Sequence, residues 1–393
     1  MKKLLKLISL ATISVLIFTA CEGPMGPMGS RGEQGPRGER GERGINGKDA
    51  TCNLCHFSSS VQAIVYDYDN FSLHAYGTAY ASAGARAECA PCHSNKGFHY
   101  VVNENKPANF IGNANQFTVD VSAYLRNPDP ISCKTCHAGY HTEDYDWFDL
   151  TTVAPVPMTM WGSAKTITFT GNAASSNLCA KCHQPRPITG TTGPINYDLL
   201  VSNPVDTYGQ STLSYRTGIH YSSQAALYAG TGGIEFGDWG SRPSSWHVTR
   251  VSCARCHMAE TDSRYTEGHT FVATLKGCVV SCHQNNESAL NDRMVTQQAE
   301  LDQLISNLAD KINAIGGGNN IIESDGYFNI YDAGSNPTGY WRNPAHGTPA
   351  LPSLTNAHVG AIINYQLVVR SSGAAYHNYP YVKKLLETSI AVI

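Results

Sequence analysis

Apolar residues recur at helical spacing in one long stretch late in the chain. Leu290, Met294, Leu301, Leu304, Ile305, Leu308, Ile312 and Ile315 follow a period near 3.6 and stop at Gly316-Gly317-Gly318, which predicts a helix with a clear end. A loop rich in Tyr, Pro and Gly follows to about residue 352. Two shorter helices are expected near 355–371 and 379–391, with SSGAAYHNYP between them. Through residues 52–283 the pattern is different. Gly, Pro, Asn and Ser interrupt nearly every apolar run, and neither a 3.6 nor a 2.0 period lasts. The expected fold class is mainly α with abundant irregular loops.

The first fifty residues carry two further patterns. Lys2 and Lys3 precede an apolar run from Leu4 to Ala20 that is too short and too early for a membrane span. It closes on Phe18-Thr19-Ala20-Cys21, which resembles a bacterial lipoprotein signal, where cleavage leaves an acylated cysteine at the new terminus. An ordinary signal peptide, with Cys21 incidental, is the bland alternative. From Gly23 to Gly47 every third residue is glycine, the collagen pattern, because only glycine fits at the axis of three wound strands. A triple helix and a flexible charged tether both remain open, and either is a spacer. Extended at about 3.1 Å per residue, it reaches about 80 Å. The division expected is a signal peptide at 1–20, a lipidated cysteine and stalk at 21–50, a cofactor-binding region at 51–285, and a helical region at 286–393 packed on it.

Charge narrows the choice of partners. The net charge of the 393-residue chain is -3, which favours neither nucleic acid nor an anionic membrane surface.

Cysteine usage changes the picture most. Of 13 cysteines, all but Cys21 fall into pairs followed directly by histidine. The groups are Cys52/Cys55/His56, Cys89/Cys92/His93, Cys133/Cys136/His137, Cys179/Cys182/His183, Cys253/Cys256/His257 and Cys278/Cys282/His283. The last is one residue wider. C-x-x-C-H is the attachment signature of c-type haem, in which two thiolates become thioethers and the histidine ligates iron. A disulfide framework gives no reason for a histidine after every second cysteine, and zinc sites pair C-x-x-C units or spaced histidines instead. Six haem c groups are therefore expected, with short helices carrying each motif.

Each iron needs a ligand on its other face. Fifteen histidines, six of them in motifs, leave His74, His99, His141, His220, His247, His269, His346, His358 and His377. That is enough for bis-histidine ligation throughout. Methionine would raise the reduction potential, but of seven Met one is Met1, two lie in the stalk, and Met258 adjoins a motif histidine.

The segments SLHA, CKTCHAGYH, NLCAKCHQPRP, HYSSQ, GTGGIEFG, SSWH, CARCHM, GHTF and the late YHNYP resemble bacterial multihaem cytochromes c. That group includes the pentahaem nitrite reductases and their octahaem relatives, and the resemblance covers roughly residues 52–393. It implies His247, His269 and His377 as second iron ligands, with His74, His141 and His220 in the same role. His99, His346 and His358 become spares. The reductases attach their catalytic haem through C-x-x-C-K, which this chain lacks, so no catalytic residue is expected.

The resulting expectation is a lipid-anchored electron carrier with six bis-histidine haems, displayed from the outer membrane. Its partner would be another cytochrome or an extracellular electron acceptor. The rival is a reductase of nitrite, hydroxylamine or a sulfur oxyanion with one open iron. A third reading is a haem-chain filament subunit, and a trimeric stalk would bring three copies together.

Overall fold

The computed structural model describes residues 59–86, 89–103, 127–138, 149–161, 164–186, 196–209, 217–260, 268–284, 286–316, 320–329 and 353–393. The chain divides into two units, Met1–Leu54 and Cys55–Ile393. The signal peptide, Cys21, the stalk, the Cys52/Cys55/His56 motif, His141 and His346 all lie outside the described residues.

The described residues are mainly helical. The first part of the second unit carries α1 (Ser59–Phe71), α2 (Leu73–Tyr76), α3 (Ala79–Ala83), α4 (Ala90–His93), α5 (Asn95–Asn103) and α6 (Cys133–Cys136). A two-stranded antiparallel pair follows, β1 (Val156–Pro157) and β2 (Thr166–Ile167), with Val156 opposite Ile167. Then come α7 (Ser176–Ala180), α8 (Tyr197–Ser202), α9 (Gln224–Ala229), α10 (Cys253–His257) and α11 (Leu275–Ser281). Three longer helices close the chain: α12 (Glu287–Ala314), α13 (Asn356–Val369) and α14 (Ala374–Val392). Among the described residues no helix is long and apolar enough to cross a membrane.

Helix α12 runs where its periodicity predicts. Leu301, Leu308 and Ile312 are fully buried, with Leu304, Ile305, Ala309 and Ile315 packed beside them, so one stripe of its C-terminal half faces the core. Helix α13 is buried almost all round, and its polar side chains are matched accordingly. Asn364 Nδ2 donates to Ile234 O at 2.8 Å while its Oδ1 accepts from Ile234 N at 2.7 Å. Gln366 Nε2 donates to Thr217 O at 3.0 Å and Gly326 O at 2.8 Å. These bonds tie irregular segments onto a rigid rod. The core itself draws on Val156–Trp239 as well as on α12, α13 and α14.

Helix α14 starts at Ala374, five residues before the start its pattern predicts. Pro380 lacks an N–H and clashes with the carbonyl four residues earlier, and Asn378 leaves the helical region at φ −158°, ψ 69°. The sequence reads as a break, whereas the chain folds as a kink. Asn378 then uses its freed geometry: its Oδ1 accepts from Ser245 N at 2.9 Å and its Nδ2 donates to Tyr228 O at 3.1 Å.

A buried charge group braces the other end of the core. Glu235, 5 % exposed, accepts two hydrogen bonds from Arg242 and lies 3.7 Å from Lys165 Nζ, which is 10 % exposed. Tyr381 Oη donates to Glu235 at 3.2 Å, and Lys165 stands 3.7 Å over the Tyr197 ring. Burial pushes the Lys165 amine down to about 8, against the pull of Glu235.

Candidate cofactor-binding site

Each described motif sits on a short helix whose start is set locally. Ser252 caps α10, its Oγ accepting from Arg255 N at 3.3 Å, so Cys253 opens the helix. Ser132 does likewise before α6, with Thr135 Oγ1 accepting from Ser132 N at 3.0 Å. At Cys89 the following turn is held by Ser94, whose Oγ accepts from Gly97 N at 3.0 Å. A Cβ at Gly97 would fall 2.3 Å from Ala90 O, so α5 closes on α4 only with glycine there. In the wider sixth motif, α11 starts a turn earlier, capped by Thr274, and ends at Ser281. Cys278 thus lies inside α11, while Cys282 is its C-cap and leaves the helical region at φ −149°, ψ −30°.

The motif histidines do not stand alone. Ring centres of His183 and His74 are 6.2 Å apart, those of His93 and His220 6.1 Å, and those of His137 and His269 6.4 Å. His283 and His247 are 6.0 Å apart, and His257 and His377 6.3 Å. Every described motif histidine therefore faces a different histidine from outside the motifs. With a metal–nitrogen bond of about 2.0 Å, two imidazoles on opposite faces of one metal have centres about 6.3 Å apart. The spacing suits one iron between each pair. Two imidazoles are too few for a tetrahedral zinc site made of protein alone, and among the described residues no three His, Cys, Asp or Glu side chains cluster as one.

Hydrogen bonds select the ring nitrogen. Nδ1 of His183 meets Gln224 Oε1 at 3.2 Å, and Nδ1 of His220 meets Tyr221 O at 2.9 Å. His257 Nδ1 lies 3.0 Å from Phe271 O, and His247 Nδ1 3.3 Å from Ser245 Oγ. A carbonyl oxygen accepts only, so Nδ1 of His183, His220 and His257 carries the proton and Nε2 keeps a lone pair for a metal. Burial, with the neighbouring His183 and His257, pulls His74 down to about 4; burial with the same two neighbours does so for His377. His93, His183, His220, His247 and His269 are likewise lowered, chiefly by burial. All are neutral at pH 7, the form that ligates.

The described motif cysteines form no disulfide with one another, and those of different motifs approach across the fold. Cys92 and Cys182 are within hydrogen-bond reach of each other, as are Cys179 and Cys253. Cys253 N donates to Ser176 Oγ at 3.0 Å, Arg255 Nη2 to Ser281 O at 3.3 Å, and Thr135 Oγ1 to Asn95 Oδ1 at 2.8 Å. The second motif therefore abuts the third and the fourth, the fourth the fifth, and the fifth the sixth.

Of the six non-motif histidines singled out above, His74, His220, His247, His269 and His377 stand opposite a motif histidine; His141 lies outside the described residues. Among the spares, His358 serves the cap of α13, where its Nδ1 accepts from Thr355 N at 3.2 Å, and His99 lies beside the Phe98 ring. Gln224, Asn378 and Phe271 also shape the site, and nothing in their local sequence marks them. No family model, no curated protein and no solved structure matches this chain.

Proposed function

We propose that this chain is a hexahaem c-type cytochrome that carries electrons along a row of bis-histidine haems. The observation that supports it is the pairing of each described motif histidine with a separate histidine at 6.0–6.4 Å. Cys89/Cys92, Cys133/Cys136, Cys179/Cys182, Cys253/Cys256 and Cys278/Cys282 would hold the described groups, and Cys52/Cys55 the remaining one, with His56 as a ligand and His141 as the matching candidate. Bound haem supplies reversible one-electron chemistry at iron.

What the chain itself does is specific. Its paired imidazoles would hold the iron from both sides, which favours a carrier over an enzyme that needs an open position. Carbonyl partners of Nδ1 hold the rings of His183, His220 and His257 in one tautomer. Its abutting motifs keep neighbouring sites close. We further propose that Cys21 carries lipid and the glycine-repeat segment spaces the unit Cys55–Ile393 away from an outer membrane, toward another cytochrome or an extracellular acceptor.

Intact mass and haem absorption of the purified protein test the reading. Six covalent haems with a wholly low-spin ferric spectrum are expected. Fewer haems would overturn the count. A high-spin ferric band with turnover of nitrite or hydroxylamine would replace the carrier by a reductase.

A further inference from the structure

Phe271 stands in the left-handed region at φ 61°, a conformation that bulky side chains rarely adopt. It closes a turn that begins at Gly268, itself at φ 51°, and its N–H donates to Gly268 O at 3.3 Å. Strain of this kind persists where the surroundings impose it, and it concentrates at functional sites. The surroundings here are three histidine pairs. The Phe271 ring meets His74 edge-on, 4.9 Å between centres at 88°. The same ring lies 6.1 Å from His269 at 75°. On its other side the Phe271 carbonyl receives His257 Nδ1 at 3.0 Å. Tyr68 backs the ring at 6.5 Å and 78°, and its Oη donates to Ile131 O at 2.6 Å just ahead of the third motif.

We infer that Phe271 is a positioning residue that fixes the imidazole orientation at three iron sites at once. Its ring sets the planes of His74 and His269, and its carbonyl sets His257. The inference rests on the haem reading above. Rotation about N–Cα carries the ring and the carbonyl together, so a negative φ would swing both away from His74 and His257; the left-handed turn aims both groups of a single residue at them. The angles it holds differ from pair to pair. The imidazole planes of His74 and His183 cross at 85°, those of His269 and His137 at 31°, and those of His257 and His377 at 13°. Crossed imidazoles leave the two π-type iron orbitals nearly equal in energy, while parallel ones split them. Phe271 thus keeps three adjacent sites electronically unequal.

Electron paramagnetic resonance of the ferric protein reads this directly. In the wild type the His74 pair should give a strongly anisotropic low-spin signal and the His257 pair an ordinary rhombic one. His74→Ala and His269→Ala assign their signals by removing them. Phe271→Ala should move the His74 and His269 signals from their wild-type positions while leaving the His247 signal in place, and Phe271→Tyr should restore the wild-type spectrum. If Phe271→Ala does not accumulate, Phe271→Leu, which keeps bulk and removes the flat edge, is read the same way. Superimposable wild-type and Phe271→Leu spectra overturn the inference. So does a change spread evenly over every signal, because that marks general loosening. A wild-type mass without covalent haem overturns the underlying reading instead.

Discussion

An imidazole binds iron in its neutral form, so each pair must stay uncharged while facing a second basic ring. Burial arranges this. His74 and His377 fall from 6.5 to about 4, so the unfolded chain binds protons between those values that the folded chain does not. Stability is then level above pH 6.5 and declines as pH drops from 6.5 to about 4; ligation to iron lowers the end of that window further. Thermal melts should show Tm falling across this range, and an unchanged Tm from pH 7 to pH 4 would sink the account. His377→Met should keep its site six-coordinate and raise the potential of one haem, seen as one step moving up in a redox titration. The motif histidines were legible because each follows a cysteine directly. Their partners were legible as a set but not as pairs, since His257 meets His377 and His93 meets His220 across long stretches of chain. Phe271 was not legible, because a backbone angle leaves no trace in Gly-His-Thr-Phe.

Among the elements, the motif helices α4, α10 and α11 depend on one close approach or one cap each. Gly97→Ala should drive a methyl into the Ala90 backbone and cost about 1–3 kcal/mol in urea unfolding. The charge group at Glu235 is a second test. Glu235→Leu removes the carboxylate beside buried Lys165 and leaves its charge with only Gly233 O and the Tyr197 ring, while half-exposed Arg242 returns to water. The expected loss is about 3–5 kcal/mol, and less than 1 kcal/mol would show that Lys165 finds another partner. Helix α12 could be read from its period alone because its stripe is regular. Helix α14 could not be read in full: Pro380 signals an end, yet packing of Tyr381, Val382, Leu385 and Leu386 carries the helix across the kink. That kink also lodges Asn378 between Tyr228 and Ser245, two residues ahead of His247.

Across the whole molecule, covalent and coordinate chemistry follow different rules of distance. Each pair of cysteines and its histidine lie within a few residues, so the proposed haem attachment would need no folded structure around it. The proposed second ligand would come from elsewhere: His74 precedes the second motif yet faces the fourth, and His269 follows the fifth yet faces the third. His377, in the last helix, completes the site of the fifth. Closing such loops is the slow, entropy-costly part of assembly. A newly exported chain would thus hold all its pigment before it holds any of its final colour. Each shift to the six-coordinate spectrum would record one long-range closure, and the last to appear would await the carboxyl-terminal helix. On the proposed reading the protein would carry its own optical record of folding, site by site.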